Sequence, residues 1–374
     1  MKRHLVNIYR LGIKELWGLV RDPMLLFLIA FTFTVSTYTS GTAVPDTITH
    51  APLGIIDEDN SQLSQRVISA LYPPMFDTFE IGLDDADKGM DNGIYTFVLD
   101  IPPSFQADIL AGREPSIQLN VDATRMSQAF TGAGYIQEIA MGEISSFMQR
   151  YRSNTQLPVD LEMRMRFNPN LTQAWFGSLM DIINNITMMA IILTGTALIR
   201  EREHGTIEHL LAMPVTPGEI MIAKVWSMGL VVLVTSGASL VFVVQGLLNV
   251  HIEGSIPLFL VGVALHLFAT TAMGIFMATV ARNMPQFAML LILILLPLQM
   301  LSGASTPRES MPKLVQDVMQ FAPTTHFVEL GQGVLYRGAG IDVAWKQFLA
   351  LAAIGAVFFI VSMVRFRKTI SQMA

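Results

Sequence analysis

The sequence has no cysteine and few charged side chains. The absence of cysteine among 374 residues excludes a disulfide-stapled fold, a cysteine nucleophile and a thiolate metal site. Charged residues make up 14% of the chain, whereas soluble globular domains carry about 25%. The formal net charge of −6 shows no excess of the basic residues that nucleic-acid binding requires, so we expect no nucleic-acid partner.

The sequence also lacks a phosphate-binding loop. That loop, G-x-x-x-x-G-K-[ST], surrounds phosphates with backbone N–H groups and places a Lys and a Mg²⁺ ligand beside them. Lys368 is the only lysine followed by Ser or Thr, and Arg367 rather than Gly precedes it. We therefore expect a chain that is not an enzyme, with no catalytic residue, cofactor or metal of its own. Energy would come from a partner or from an ion gradient.

Long apolar runs are what the sequence does contain, since 52% of its residues are hydrophobic. A helix that crosses the hydrocarbon core, which is about 30 Å thick, needs about 20 mostly apolar residues. Six runs approach this length, which predicts an α-helical membrane protein with six transmembrane helices. The runs cover residues 24–40, 182–199, 225–248, 256–280, 286–301 and 347–364, and the last two are near the lower length limit for a span.

Lysine and arginine residues set the predicted orientation, because they stay preferentially on the cytoplasmic side of a membrane. They precede the first run, follow the second and sixth, and stand between the fourth and fifth, whereas the connection of the third and fourth has none. Both termini are therefore expected in the cytoplasm and residues 41–178 outside. That outer segment carries 8 basic and 18 acidic residues, which we expect to form a solvated face.

Residues 1–23 are predicted to form an amphipathic helix on the cytoplasmic membrane surface. Asp22 followed by Pro23 is typical of an N-cap with Pro at the first helical position. We therefore expect the first run to be retained as a membrane helix rather than removed as a signal peptide. The apolar positions at helical spacing are Leu5, Ile8, Gly12, Leu16 and Leu19.

The outer segment, residues 41–178, is predicted to be a mixed α+β domain inserted between the first two spans. Its short alternating segments predict strands, and its segments bounded by Ser, Pro or Gly predict helices. The predicted strands lie within 54–61, 76–81, 94–101, 116–124 and 161–167, and the predicted helices cover 62–71, 104–112 and 126–152.

A cytoplasmic loop, residues 200–224, follows the second span within the five-helix remainder, 179–374. In isolation its charges are compatible with a solvated loop and snorkelling arginines. Gly205 interrupts the preceding helix, however, and Thr206 can cap a short helix over 207–213 that Pro214 ends. Residues 216–219, Thr-Pro-Gly-Glu, form a capping box that begins the third span. A short apolar and acidic helix against the membrane predicts a docking element for a cytoplasmic partner.

This loop resembles the cytoplasmic loop of ABC-2 type transporter permeases, R-E-x-E-x-G-T-x-E-x-L-L-x-x-P. Further resemblance is found at 57–61, 101–105, 120–124, 302–312 and 321–338, in an order similar to that of the bacterial inner-membrane exporters with a large extracytoplasmic domain. The matching loop residues are Arg200, Glu201, Glu203, Gly205, Thr206, Glu208, Leu210, Leu211, Pro214, Glu219 and Lys224.

The resemblance implies a half-transporter in a bacterial inner membrane. Two permease subunits, identical or different, would form the pathway, and separate ATPase subunits that bind ATP and Mg²⁺ would dock in the cytoplasm. The loop, at Arg200 to Pro214, and the N-terminal helix would contribute to the ATPase contact. Residues 302–346 would be the extracytoplasmic connection of spans five and six, and a periplasmic membrane-fusion adaptor is a further partner that the resemblance leaves open.

Polar residues inside the spans have two interpretations. His266 lies in the fourth run, where an ionisable group either belongs to the transport pathway or is hydrogen-bonded between helices. Asp181, at the outer entrance of the second run, is interpreted as structural.

The sequence thus predicts the permease subunit of an ATP-driven exporter. Because the spans hold almost no charge, an amphipathic or lipid-like substrate is favoured over a small ion. The alternative is a membrane sensor or assembly scaffold whose outer domain binds a ligand and which transports nothing. An ion-coupled transporter is disfavoured by the scarcity of intramembrane carboxylates.

Overall fold

A computed structural model describes residues 2–42, 49–122, 126–151, 173–205, 214–304, 306 and 308–371. The chain divides into two compact units. The helical unit comprises Met1–Val44 and Met165–Ala374, and the sheet unit comprises Pro45–Arg164.

The chain begins with two helices of the helical unit, α1 over Lys2–Val20 and α2 over Pro23–Thr42. The Asp22 carboxylate accepts a hydrogen bond from the backbone N–H of Leu25, and Pro23 is the first residue of α2, so the predicted N-cap is confirmed. α2 contains a π-helical segment, Thr32–Ser36, in which the hydrogen-bond pattern is widened by one residue.

The sheet unit contains a four-stranded mixed sheet in the order β2-β1-β3-β4. The central strand β1 runs parallel to β2 and β3, and β4 pairs antiparallel with β3. Helices that connect or follow the strands cover the apolar side chains of the sheet. In chain order the elements are β1 Ala51–Asp57, α3 Gln62–Ala70, β2 Phe76–Glu80, α4 Leu83–Asp91, β3 Phe97–Ile101, α5 Phe105–Leu110, β4 Gln118–Val121 and α6 Met126–Tyr151.

The predicted elements of this unit agree with the structure in type, and they differ in length and in one omission. β1 begins at Ala51, three residues before the predicted start, because its first residues pair with β2. The sequence does not predict the helix α4, because its closely spaced aspartates fit the expected solvated face. Asp84 and Asp85 occupy its first turn, where the helix dipole favours negative charge. The strand predicted over 161–167 lies outside the described residues.

The described part of the helical unit continues with seven α-helices of different lengths, which pack around a buried apolar core. Buried apolar side chains of α7 and α9 form much of its core, whereas α10 and α13 expose many of theirs. The elements are α7 Gln173–Glu203, α8 Pro217–Leu247 with a π-helical part at Ser239–Leu247, α9 Ile256–Val280, α10 Met284–Met300, α11 Lys313–Met319, α12 Pro323–Gly331 and α13 Ile341–Ser371.

Five helices in the described part of the chain are long and apolar enough to cross a membrane: α2, α7, α8, α9 and α13. The helix α10 occupies the predicted fifth span, but its 17 residues fall short of the usual length. The prediction of six spans is therefore supported for five helices and stays a prediction for α10.

Two predicted boundaries differ from the structure. α7 begins at Gln173 and packs beside α2, where Ser40 Oγ donates a hydrogen bond to the Gly177 carbonyl at 3.2 Å. α7 thus begins within the segment that is predicted to lie outside the membrane, and the end of that segment at residue 178 stays a prediction. Asp181, which the sequence places at the outer entrance of the second run, lies inside α7, and its carboxylate accepts hydrogen bonds from Ser36, Thr37 and Asn185. The last helix likewise begins at Ile341, six residues before the predicted span.

Candidate functional site

The predicted docking loop connects α7 to α8, and the structure describes its two ends, 200–205 and 214–224. Gly205 has φ +67°, a left-handed conformation that glycine adopts without strain at the end of a helix. Pro214, at the start of the second end, is exposed. The remaining predicted contact residues lie outside the described residues, as does the helix predicted over 207–213. They are Thr206, Glu208, Leu210 and Leu211.

A group of four charged side chains, which we call the Lys224 cluster, joins three helices beside this loop. The ammonium of Lys224 in α8 lies 2.9 Å from Glu15 Oε1 in α1 and 2.7 Å from Glu201 Oε2 in α7. Lys14 Nζ lies 2.5 Å from the other Glu201 oxygen. Two lysines and two glutamates give the Lys224 cluster no net charge if all four are ionised.

The Lys224 cluster is largely removed from water. The Lys224 side chain is 2% exposed, and those of Glu15 and Glu201 are 10% and 11% exposed. Burial raises the pKa of the Glu15 carboxyl, and the adjacent Lys224 ammonium opposes this change. A buried charge is tolerated when it is paired and costly when its partner is removed. These contacts therefore hold α1, α7 and α8 in one arrangement.

A close apolar and aromatic contact lies next to the Lys224 cluster, between α1 and α8. The Tyr9 ring stacks on the Trp226 indole with ring centroids 6.3 Å apart, and Trp226 Nε1 donates to the Ile8 carbonyl at 3.3 Å. Gly12 faces the same indole, and a Cβ at this position would lie 2.0 Å from a Trp226 ring atom. Only a residue without a side chain fits here, so Gly12 sets the distance between the two helices.

The start of α8 is fixed by the predicted capping box, which is confirmed. Thr216 Oγ1 accepts a hydrogen bond from Glu219 N at 3.3 Å, and Glu219 Oε2 accepts from Thr216 N at 2.5 Å. The other Glu219 oxygen accepts from Asn7 Nδ2 at 3.1 Å and lies 3.0 Å from His4 Nδ1. The cap of α8 is thus also an attachment point for α1.

The end of α7 is held by its own charged residues. Arg200 forms an ion pair with Asp22, the N-cap of α2. The Arg202 guanidinium donates to the carbonyls of Ala278, at 3.1 Å, and Ala281. These carbonyls stand at the end of α9, where a cation is favoured by the helix dipole.

Glu203, the last residue of α7, binds the start of α10. Its Oε1 accepts a hydrogen bond from the Met284 backbone N–H at 2.9 Å. Arg200, Glu201 and Glu203 were all predicted as contacts of a partner, and the structure shows each of them bonded within the chain. Their role in a partner contact stays a prediction, and the observed contacts make them supports of the loop.

Sequence reasoning missed Lys14, Glu15 and Trp226 as members of this site. One feature of the sequence could have identified Glu15 and Lys224: each is a charged residue on the apolar face of its helix. Glu15 stands three residues after Gly12 and four before Leu19, both buried, so it shares their face. Lys224 stands among apolar residues of α8, where an unpaired ammonium would be costly.

His266, the candidate pathway residue, is fully buried between helices. Its Nε2 lies 2.8 Å from Thr187 Oγ1 of α7, and its ring stacks on Phe327 of α12 with centroids 4.0 Å apart. This environment matches the interpretation of a histidine hydrogen-bonded between helices.

Comparison with known proteins gives consistent matches over the whole chain. A family model described as ABC-2 family transporter protein matches residues 23–364. The chain is 64% identical to the "Inner membrane transport permease YhhJ" of Escherichia coli (strain K12) over the full length of both. It is 24% identical to the "Probable multidrug ABC transporter permease YbhR" of the same organism over 96% of this chain and 97% of that protein. It is 26% identical to the "Probable multidrug ABC transporter permease YbhS" of Escherichia coli (strain K12) over 95% of this chain and 94% of that protein.

Proposed function

The chain belongs to the ABC-2 family of transporter proteins, and from that premise we propose that it is the membrane-spanning permease subunit of an ATP-driven exporter. Its relatives are inner-membrane and ABC transporter permeases, and the family implies partnership with ABC ATPase subunits. In this proposal the ATPases are separate chains that bind ATP and Mg²⁺, and two permeases, identical or different, form the pathway.

The observation that supports coupling to such a partner is the Lys224 cluster. It ties both ends of the docking loop to α1, because Glu201 precedes residues 206–213 and Lys224 follows them. A force applied at 206–213 would therefore move α7, α8 and α1 together. In this proposal Thr206, Glu208, Leu210 and Leu211 meet the ATPase, while Arg200, Glu201 and Glu203 hold the ends of the loop.

The orientation follows from the distribution of basic residues. Lys14, Arg200, Arg202 and Lys224 belong to the end of the helical unit that carries α1, as do the charged contacts around them. Placing this end in the cytoplasm satisfies the preference of Lys and Arg for that side. Both termini are then cytoplasmic, and the sheet unit is periplasmic.

The proposed substrate is amphipathic or lipid-like. The spans α8 and α9 contain almost no charged residue beyond Glu219 and Lys224 at the start of α8, which offers little to compensate a small ion. Rather than a fixed ion site, such a pathway would present apolar and weakly polar side chains. The names of YbhR and YbhS, which describe probable multidrug permeases, are in line with this substrate class.

Glu208→Gln is expected to uncouple the permease from its ATPase. The Gln side chain keeps a hydrogen-bond acceptor but lacks the negative charge, and a hydrogen bond to a charged group contributes about 1–1.5 kcal/mol more than one between neutral groups, so permease-stimulated ATP hydrolysis should fall about five- to tenfold. Gly205→Val should act in the same direction, since φ +67° is unfavourable for a β-branched residue. The measurement is ATPase activity of the reconstituted complex, with transport of a fluorescent amphiphile followed in parallel.

Glu253→Gln provides the matched control for this test. Glu253 is an exposed carboxylate in the connection of α8 and α9, at the opposite end of the helical unit. Its replacement should leave stimulation and transport unchanged. Full stimulation and transport in both loop variants would show that the loop is not the coupling element. ATPase binding without any transport in the unmodified complex would favour the scaffold alternative.

A further inference from the structure

A cavity of about 490 Å³ opens at the end of the helical unit that lies away from the Lys224 cluster. It is formed by the start of α7, the segment after α10, α12 with the residues that follow it, and the start of α13. Its volume lies within the range of small-molecule sites. No residue of the docking loop lines it, so it is a second site.

Aromatic side chains place this cavity at the level of lipid headgroups. Trp175 and Tyr336 pack with ring centroids 4.4 Å apart, and Phe176, which lines the cavity, lies 5.7 Å from Tyr336. Tyr336 donates its hydroxyl hydrogen to the Phe176 carbonyl at 2.9 Å, and Trp175 Nε1 donates to the His251 carbonyl at 2.9 Å. Trp and Tyr are enriched at both membrane–water interfaces, where headgroups lie.

The charges of the lining form one internal pair and leave one charge of each sign. Arg308 Nη1 lies 2.9 Å from Glu329 Oε1, so these two neutralise each other. Arg337 and Glu309 also line the cavity, are exposed, and have no ion-pair partner within the described ranges. A ligand that uses both must carry a negative and a positive group.

A buried amide in the same lining needs a hydrogen-bond donor. Gln347 Oε1 is buried and accepts no hydrogen bond from the part of the protein that the structure describes. An unsatisfied buried acceptor is unfavourable, so a donor in the cavity would be bound there. Val328, Leu330 and Val343 supply apolar lining, and Val343 is 62% exposed, which connects the cavity to the apolar surface of α13.

We propose that this cavity binds the headgroup of a zwitterionic phospholipid with a primary ammonium, of the phosphatidylethanolamine type. The Arg337 guanidinium pairs with the phosphate, for which its planar donors are well suited. The ammonium donates to the Glu309 carboxylate and to Gln347 Oε1. The acyl chains leave past Val343 along the apolar surface of α13. This assignment requires a membrane protein and does not depend on the proposed transport function.

Lipid binding to the purified, delipidated full-length chain tests the proposal. Native mass spectrometry would compare dioleoyl phosphatidylethanolamine, phosphatidylcholine and phosphatidylglycerol, each added alone. The unmodified chain should bind the ethanolamine lipid about tenfold more tightly than the other two, because choline cannot donate a hydrogen bond and glycerol carries no positive charge. Arg337→Gln should weaken binding of all three lipids about tenfold.

Glu309→Gln separates this proposal from a simple phosphate site. It should remove most of the tenfold preference for the ethanolamine lipid over the choline lipid, because both ammonium groups lose the opposite charge but only the ethanolamine loses a charged hydrogen-bond acceptor, and it should not weaken binding of the glycerol lipid. Arg282→Gln, which removes an exposed arginine before α10 at the other end of the unit, is the control and should change nothing. Equal binding of the three lipids by the unmodified chain, or an ethanolamine preference that survives both Arg337→Gln and Glu309→Gln, would overturn the assignment.

Discussion

Lys224→Met is expected to destabilise the helical unit by about 3–5 kcal/mol and to abolish transport. Methionine resembles lysine in being long and unbranched, but it lacks the ammonium that pairs with Glu15 and Glu201. Both carboxylates are then buried with only Lys14 nearby, which leaves one uncompensated negative charge. The measurement is the apparent midpoint of thermal unfolding in detergent, with unfolding detected as the loss of monodisperse protein.

Two further variants distinguish a charge effect from a packing effect at this position. Lys224→Met combined with Glu15→Gln restores neutrality and should recover at least half of the lost stability. Lys14→Met should cost about 1 kcal/mol or less, because the Lys14 side chain is 50% exposed. If the single and double variants of Lys224 unfold at the same temperature as the unmodified protein, the Lys224 cluster does not hold the three helices together.

Gly12→Val is expected to displace α1 from α8 and to cost about 1–3 kcal/mol. The added Cβ would lie 2.0 Å from the Trp226 ring, and the stacked Tyr9 ring limits the movement of that indole. Since α1 also carries Glu15, its displacement opens the Lys224 cluster. Permease-stimulated ATP hydrolysis should fall together with transport, while the chain still inserts into the membrane.

Gly18→Val is the matched control because it makes the same change in the same helix. Apart from its chain neighbours and the adjacent backbone of α1, no described atom lies within 4 Å of a Cβ built at Gly18, so the valine points into open space. Stimulation and thermal stability should stay close to those of the unmodified protein, apart from a small loss or gain in helix propensity. Equal ATPase stimulation and equal thermal stability in the two variants would mean that the contact of α1 with Trp226 has no part in coupling.

The helices of this protein could be predicted from sequence wherever the signal is local. The N-cap at Asp22, the capping box at Thr216 and the apolar run of α9 each depend on residues within a few positions, and each is confirmed. The order of strands and helices in the sheet unit follows from the same kind of local pattern. Element ends were less accurate, because β1 begins where it pairs with β2, a contact that no local pattern contains.

The candidate site could be predicted only in part, because its central contacts are distant in sequence. Lys224 and Glu15 are 209 residues apart, and Lys14 and Glu201 are 187 apart. The motif of the loop identifies Glu201 but suggests that its side chain contacts a partner. In the structure the Glu201 side chain is buried against Lys224 instead. The partners of Asp181 are also distant in sequence, since hydroxyls of α2 donate hydrogen bonds to its carboxylate inside the bundle.

The most direct test of the coupling proposal is site-specific cross-linking from the docking loop. The chain has no cysteine, so a single cysteine at Leu210 can carry a photoreactive group without a background reaction. In the assembled complex we expect this group to cross-link to the ATPase subunit, with a yield that changes when ATP is bound. A group at Glu253 should give no such product. Cross-links from Glu253 but none from Leu210, with ATP-driven transport intact, would contradict the proposal that the partner docks at the loop held by the Lys224 cluster.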